Sequence, residues 1–365
     1  MIDSVAEPDP QRGRERGPAP MRVAVVGAGL AGLMAARELR RHGHVVTVFD
    51  KGRSPGGRLA TRRIGDARLD HGAQFFTVRS ERFAAQVREW EADGVVFEWC
   101  DGFGPDADGH PRYAAHGGMN AIAKHLARDL DVRCESLVFS LHRGTTSVGP
   151  QSTVARSMGP ESDGAAPSTE PPWAVRLDDN TVHAADALIV TCPLPQTFSL
   201  LVSAEVPMPE ALWRTDYDRT LALLVVLDRP SLVPSPGGLQ TDPSFTFIAD
   251  HHAKGISPVP AVTFSANPAW SDDHWDDDPA SAHDALLELA RPYLGDAEIV
   301  ESQLKRWRFA TPRSIWPDAH WSPEGVPSLA IAGDAFAGPR VEGAALSGMS
   351  AAEAIAAALA GAGTQ

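Results

Sequence analysis

Residues 23–50, VAVVGAGLAGLMAARELRRHGHVVTVFD, constrain the fold more than any other stretch of the chain. An apolar run predicts a buried strand before Gly27, and the spacing of apolar residues up to Leu39 predicts a helix. A second apolar run ends at Asp50 and predicts another buried strand. Strand, helix and strand in this order form a βαβ unit with parallel strands, so we expect an α/β fold built on a Rossmann-like sheet.

The turn inside this unit carries the pattern G-x-G-x-x-G at Gly27, Gly29 and Gly32. The first glycine permits the tight turn, the second lets a pyrophosphate approach the backbone, and the third allows close helix–strand packing. The helix N-terminus offers free N–H groups to phosphates, and Asp50 would accept hydrogen bonds from ribose hydroxyls. The pattern predicts a dinucleotide site for NAD or for FAD, because both carry the same adenosine diphosphate.

Two further glycine-rich motifs favour FAD. SPGGRLATRR follows Asp50 directly, where its glycines would admit an extended dinucleotide and Arg58 would meet the phosphates bidentately. Near the C-terminus, AIAGDAFAGPRVEGAALSG places Gly333 and Asp334 at the end of a predicted strand, where Asp334 would hydrogen-bond a sugar-alcohol chain. A simple NAD dehydrogenase has no need of either motif.

Taken in order, G-x-G-x-x-G, SPGGRLATRR, DHGAQFFT and GDAFAGPRVEGA resemble the FAD-dependent amine oxidase superfamily. The sequences of GGRLATRR, GAQFF and LKRWRFA are similar to motifs of its renalase-like branch. The resemblance implies a discontinuous Rossmann-like FAD-binding domain interleaved with a mixed-sheet α+β substrate domain. The expected divisions are 21–80, 112–198 and 299–365 for the FAD-binding domain, 81–111 and 199–298 for the substrate domain, 1–20 for a disordered tail and 144–171 for a flexible insertion.

The same resemblance implies non-covalent FAD bound by residues from all four motifs. The first two motifs would hold the adenosine diphosphate, the GAQFF segment would lie beside the isoalloxazine, and the C-terminal motif would reach the ribityl chain and pyrimidine edge. The expected cofactor-binding residues are Gly27, Ala28, Gly29, Leu30, Ala31, Gly32, Asp50, Lys51, Gly57, Arg58, Leu59, Gln74, Phe75, Phe76, Val138, Thr191, Gly333, Asp334, Val341, Glu342 and Ala345.

The substrate expectation depends on Arg340, which stands two positions before Glu342, where amine oxidases typically have a tyrosine. A guanidinium repels an ammonium and suits an anionic or electron-rich substrate. The chain has 3 tyrosines, which predicts a poor aromatic cage for an amine. Renalase-like enzymes oxidise isomeric 2- or 6-dihydro-NAD(P), and O2 reoxidises the flavin to give H2O2. We expect Trp307 and Arg340 to contact such a substrate, and we assign no general base.

Three other functions stay open at this point: an amine oxidase of the same superfamily, an NAD-dependent dehydrogenase, and a non-catalytic flavin-binding protein. The net charge of -14 argues against nucleic acid or an anionic membrane as a partner. The 3 cysteines have no metal-ligand spacing, so no metal is expected. Residues 1–20 lack the apolar stretch of a signal peptide, which favours the cytoplasm, and either Met1 or Met21 could be the start.

Overall fold

The computed structural model describes residues 20–104, 107–144, 172–240, 242–336 and 338–362. The strands are β1 (Arg22–Val26), β2 (Val45–Phe49), β3 (Thr61–Ile64), β4 (Ala67–Asp70), β5 (Val96–Cys100), β6 (Arg112–Ala115), β7 (Asp131–Arg133), β8 (Val138–Arg143), β9 (Trp173–Leu177), β10 (Val182–Ala185), β11 (Ala187–Val190), β12 (Tyr217–Leu227), β13 (Gly238–Leu239), β14 (Phe245–Asp250), β15 (Ala261–Ala266), β16 (Ile299–Pro312) and β17 (Leu329–Ile331). The helices are α1 (Leu30–Arg41), α2 (Glu81–Ala92), α3 (Asn120–Leu126), α4 (Leu194–Ser203), α5 (Glu210–Trp213), α6 (Pro268–Asp273), α7 (Pro279–Leu294) and α8 (Val341–Ala362).

A parallel sheet with the strand order β17-β11-β1-β2-β7 forms the centre of the first half of the fold. β1 pairs in parallel with β2 on one side and with β11 on the other. The apolar residues of β1 and β11 are buried because helices cover the sheet, as parallel sheets require. The predicted βαβ unit is therefore confirmed, and its turn lies at the carboxyl end of β1.

An antiparallel sheet with the order β13-β14-β15-β12-β16 forms the second half. The long strand β12, which lies between β15 and β16, is apolar on both faces because both are covered. Leu286 and Ala290 of α7 belong to the core on one side, while Leu69 of β4 packs with Leu224 on the other. The β3–β4 hairpin thus joins the two halves of the molecule.

The structure differs from the predicted domain divisions at three places. β16, assigned to the FAD-binding part, is a strand of the antiparallel sheet. Helix α2, assigned to the substrate part, packs in the same core as α1. β5 and β6 pair with each other across the predicted boundary at residue 112. Hydrophobic periodicity identifies the buried face of an element, but not the core that it joins.

The predicted insertion and the predicted N-terminal tail fall almost entirely outside the described residues. The strands that flank the insertion, β8 and β9, are antiparallel neighbours. Gly144 N donates to Pro172 O at 2.8 Å, so the ends of these two strands lie side by side.

Helix α8 packs tightly on α1 through small residues. A Cβ at Gly348 would lie 2.0 Å from the carbonyl oxygen of Ala31 in α1, so only glycine permits this contact. The segment Val341–Gly361 is long and apolar enough to cross a membrane by length and composition, and half of it is buried inside the protein.

Candidate functional site

A cleft of about 1470 Å³ lies between the two halves and begins at the carboxyl ends of β1 and β11, the edge where parallel sheets bind ligands. Most of the predicted site residues line it. They are Gly27, Gly29, Leu30, Ala31, Asp50, Lys51, Gly57, Arg58, Leu59, Gln74, Phe75, Val138, Thr191, Trp307, Gly333, Asp334, Arg340 and Val341. The fold thus brings residues of all four motifs to one surface.

The turn between β1 and α1 has the shape that a dinucleotide phosphate requires. Gly27 has φ +107°, which favours glycine, and a Cβ at Gly32 would lie 1.9 Å from the Gly27 carbonyl oxygen. A Cβ at Gly29 would meet nothing within 4 Å among the described residues, because this residue faces the open cleft. Within the same part of the chain, no side chain caps the N-terminus of α1. Its first N–H groups are therefore available to phosphate, and the residues present fit the diphosphate of FAD.

Asp50 stabilises this turn as well as lining the cleft. Its Oδ2 accepts a hydrogen bond from Ala28 N at 2.6 Å, and its Oδ1 accepts one from Gly52 N at 2.6 Å. Each carboxylate oxygen can accept a second hydrogen bond. The position predicted for a ribose-binding acid therefore also holds the backbone on both sides of the phosphate turn.

Arg58 and Asp334 pair with each other, although the sequence suggested separate roles for them. The guanidinium binds the carboxylate through two hydrogen bonds, at 2.5 and 2.7 Å. The same guanidinium lies 3.4 Å from Phe309 O and 3.3 Å from Ala310 O. The pair ties the GGR motif to the C-terminal motif, so that both form one wall of the cleft.

Five predicted cofactor residues do not line the cleft: Ala28, Gly32, Phe76, Glu342 and Ala345. Glu342 is the clearest correction, because its carboxylate accepts hydrogen bonds from Arg79 N at 2.9 Å and Ser80 N at 2.8 Å, at the start of α2. The other four are buried or packed against backbone behind the cleft wall. These residues support the site and do not face the space for the ligand.

Aromatic side chains form one side of the cleft. Trp307 Nε1 donates to His71 O at 2.6 Å, and the two rings stack with centroids 5.3 Å apart. Phe75 and Phe247 lie 5.4 Å apart and both face the cleft. The expectation of a poor cage holds for tyrosine, since no tyrosine lines this cleft in the described part of the chain, but it is wrong for aromatic residues in general. Sequence reasoning missed Phe247, although the alternation in SFTFIAD was a signal.

His71 also lines the cleft and is held neutral by its surroundings. Burial, and then the positive charges of Lys305 and Arg62, lower the pKa of His71 to about 4. Its Nδ1 is buried and has no hydrogen-bond partner in the described structure. At neutral pH the site therefore contains an uncharged imidazole.

The charges around the cleft are mainly positive, although the chain as a whole is acidic. Among the described residues, the basic ones that line it are Lys51, Arg53, Arg58, Arg308 and Arg340, and the acidic ones are Asp50, Asp218 and Asp334. Each of these three carboxylates already has a partner: backbone N–H groups for Asp50, Arg313 at 2.6 Å for Asp218, and Arg58 for Asp334. The lining thus offers cations to a ligand more readily than carboxylates.

Known proteins resemble this chain at the level of family, of sequence and of structure. The model of the family "Flavin containing amine oxidoreductase" matches residues 91–356, and that of "NAD(P)-binding Rossmann-like domain" matches residues 25–90. A segment of 67 residues is 50% identical to "Putative flavin-containing monoamine oxidase AofH" of Mycobacterium tuberculosis. That match covers 18% of this chain and 15% of the relative, so it spans a small part of the relative's length.

Two solved structures share the fold over 93% of this chain. A "Putative protoporphyrinogen oxidase" from Exiguobacterium sp. 255-15 has a TM-score of 0.65 at 14% identity, with 100% of that chain covered. Putrescine oxidase bound to putrescine has a TM-score of 0.64 at 16% identity, with 99% of that chain covered. These likenesses confirm the predicted fold class.

The family match extends over well over half of the chain. It includes β16 with Trp307 and the C-terminal motif with Asp334 and Arg340. Flavin is the cofactor for which the family is named, so the expected flavin cofactor is confirmed. The chain therefore belongs to the family of flavin-containing amine oxidoreductases.

Proposed function

We propose that the protein is an FAD-dependent oxidase of isomeric dihydronicotinamide dinucleotides, as in the renalase-like branch of the superfamily. A 2- or 6-dihydro isomer of NAD(P) would lose a hydride and become NAD(P)⁺. With O2 and a proton, the reaction would end in H2O2. The observation that carries the proposal is the charge of the cleft in the described part of the chain, where the lining carboxylates all have partners and cations outnumber them.

The excess of cations argues for an anionic substrate. An amine is bound first as an ammonium ion, and a carboxylate is the usual partner for that charge. Arg340 and Arg308 line the cleft. Arg62 and Lys305 both act on His71 electrostatically, so they flank the same region. A dinucleotide carries two phosphate charges, which match these groups.

The aromatic wall supports a planar substrate ring. When bound, FAD would supply the hydride acceptor at the cleft. The faces of Phe75, Phe247 and Trp307 would orient a dihydropyridine ring and exclude water from it. The neutral His71 adds no charge beside such a ring. Hydride loss from an activated dihydropyridine needs no general base, in agreement with a cleft in which we assign none.

Oxidation of an amine is the second candidate function. The observation that favours it is the same aromatic wall, because aromatic faces attract organic cations. Two similar proteins named above, a monoamine oxidase and a putrescine oxidase, favour the same reading. A flavin-binding protein without turnover is a third candidate. Substrate tests separate all three.

The test is a steady-state assay of O2 consumption and H2O2 release with 2- and 6-dihydro-NAD(P), ordinary 4-dihydro-NAD(P), benzylamine and putrescine. We expect turnover of the 2- or 6-dihydro isomers with NAD(P)⁺ as product. The Arg340→Tyr enzyme should show a KM for the isomer raised about fivefold, as expected for an exposed charge contact. Arg291→Tyr, on the exposed side of α7, is the matched control. Turnover of an amine but not of the isomers would overturn the proposal.

A further inference from the structure

Lys254 is buried completely in a loop that follows β14, although lysine is rarely buried. Its Nζ lies 3.1 Å from Asp70 Oδ2, and that carboxylate is also fully buried. The ammonium also donates to the carbonyl oxygen of Gln74 and lies 4.9 Å from the centroid of the Trp99 ring. One cation from the antiparallel sheet therefore meets three groups on other elements.

Both oxygens of the partner carboxylate accept hydrogen bonds. Asp70 Oδ1 accepts hydrogen bonds from Thr61 Oγ1 at 2.6 Å and from Met119 N at 2.8 Å. Burial lowers the pKa of Lys254, and the nearby Asp70 opposes that change. A buried ion pair is a weak source of stability compared with apolar packing of the same volume. The position of its three contacts therefore indicates its role better than its energy does.

Two of the three contacts, those with the Gln74 carbonyl and the Trp99 ring, connect Lys254 to the wall of the cleft. The segment 71–75 lines the cleft along its whole length. One edge of it is held by backbone hydrogen bonds from His71 N to Ala60 O at 3.1 Å and from Ala73 N to Arg58 O at 2.8 Å. At its C-terminal end, the Lys254 ammonium donates to the carbonyl oxygen of Gln74, which belongs to the peptide bond joining Gln74 to Phe75.

The aromatic contact leads to the same wall. Trp99 packs edge-on against Phe75, with ring centroids 6.3 Å apart, and against Phe247 at 6.4 Å. Both phenylalanines face the cleft. The Lys254 ammonium lies over the Trp99 ring and so supports the aromatic wall from behind.

We propose that Lys254 is a positioning residue that fixes the segment 71–75 and the aromatic wall relative to bound FAD. Its contacts with the Gln74 carbonyl and the Trp99 ring hold the cleft wall against the loop that follows β14. Asp70 serves as its counter-ion. This role requires FAD in the cleft and does not depend on which substrate is oxidised.

The test compares Lys254→Met and Lys254→Arg with the wild-type holoenzyme. Methionine keeps an unbranched side chain one atom shorter and removes the charge and the donor, whereas arginine keeps both. We expect Lys254→Met to change the visible circular dichroism of bound FAD. It should also slow anaerobic reduction of the flavin by 6-dihydro-NAD at least tenfold, since small displacements at a reacting centre have large effects. Lys254→Arg should keep the wild-type dichroism and the wild-type reduction rate. Ser271→Ala in α6, which removes a buried acceptor of the Leu221 N–H, controls for general destabilisation.

A Lys254→Met holoenzyme with wild-type dichroism and reduction rate, and only a lower melting temperature, would overturn the proposal. If Lys254→Met does not fold, Lys254→Arg decides: unchanged flavin dichroism together with an unchanged rate supports positioning by charge, and altered values in a stable protein contradict it. The dichroism is measured without substrate, so it tests the positioning role even if the dihydronicotinamide assignment fails.

Discussion

Asp50 makes two kinds of interaction at once, and this affects how the residue can be tested. Its carboxylate holds the amides of Ala28 and Gly52 and also borders the cleft where the ribose of a dinucleotide would lie. Removing it therefore loosens the phosphate turn as well as deleting a ligand contact. Both effects weaken cofactor binding.

We expect Asp50→Ala to weaken FAD binding about tenfold to a hundredfold, because a hydrogen bond to a charged group contributes about 1.5–3 kcal/mol. Fluorescence titration of the apoprotein with FAD measures the change in Kd. Asp66→Ala, at an exposed position in the β3–β4 turn, is the control and should bind FAD normally. An unchanged Kd for Asp50→Ala would show that the ribose does not contact this side chain.

His71 predicts a specific dependence of stability on pH. Its pKa is about 4 in the folded protein and about 6.5 in the unfolded chain, so between these values the unfolded chain binds more protons. Stability is therefore lost as the pH falls from about 6.5 towards 4. This residue should account for about 2 kcal/mol of the difference in unfolding free energy between pH 7 and pH 5.

His71→Asn should remove that contribution, which denaturant titrations at pH 7 and pH 5 would measure. His110→Asn, at an exposed position, is the control. Equal pH dependence in the wild type and in His71→Asn would mean that the imidazole is more accessible to water than its burial indicates.

At the scale of elements, the β1–α1 turn contains one glycine required by the fold and another required by the ligand. Gly32 faces backbone, and a Cβ there would lie 1.9 Å from Gly27 O. Gly29 has φ -74° and faces open space, so alanine fits there without strain. Both glycines belong to one motif, yet the structure gives them different functions.

We expect Gly32→Ala to destabilise the apoprotein by about 2 kcal/mol, as overpacking against backbone does. Gly29→Ala should leave the apoprotein within about 0.5 kcal/mol of the wild type or slightly more stable, and should weaken FAD binding at least tenfold by occupying the space for the phosphate. Chemical denaturation of the apoproteins and FAD titration measure the two effects. Normal FAD binding by Gly29→Ala would contradict the placement of the diphosphate.

The elements also show which parts of the site the sequence can predict. Local patterns were sufficient for the βαβ unit and its turn, since both depend on residues close in the chain, whereas the GAQFF segment was placed by family resemblance. In α8, Val341 and Ala344 face the cleft while Glu342 and Ala345 point away, because each helical residue is rotated about 100° from the last. A motif read as a continuous string does not separate these two faces.

Contacts between distant residues were beyond prediction from one sequence. Arg58 and Asp334 are 276 residues apart, and Lys254 and Asp70 are 184 apart. No local pattern specifies such a pair, because it is formed by the packing of separate elements. The same reason explains why Phe247 was missed and why β16 was assigned to the FAD-binding part.

For the whole molecule, the proposed cofactor is non-covalent FAD. Covalent attachment would need a reactive side chain near the flavin ring. Of the cysteines, Cys192 lines the cleft, but burial raises its thiol pKa to about 12, so the reactive thiolate is suppressed. We expect acid precipitation of the holoenzyme to release all the FAD into the supernatant. Flavin absorbance that remains in the pellet would indicate a covalent bond.

The contrast between an acidic chain and a basic cleft underlies the proposal that the cleft selects an anionic dihydronicotinamide. The decisive experiment is to compare the rates of anaerobic flavin reduction by three compounds at equal concentration: a 6-dihydro-NAD, its riboside without phosphates, and benzylamine. We expect fastest reduction by the dinucleotide, slower reduction by the riboside because the phosphate contacts are lost, and little or none by the amine. Fastest reduction by benzylamine, or equal rates for dinucleotide and riboside, would contradict the proposal.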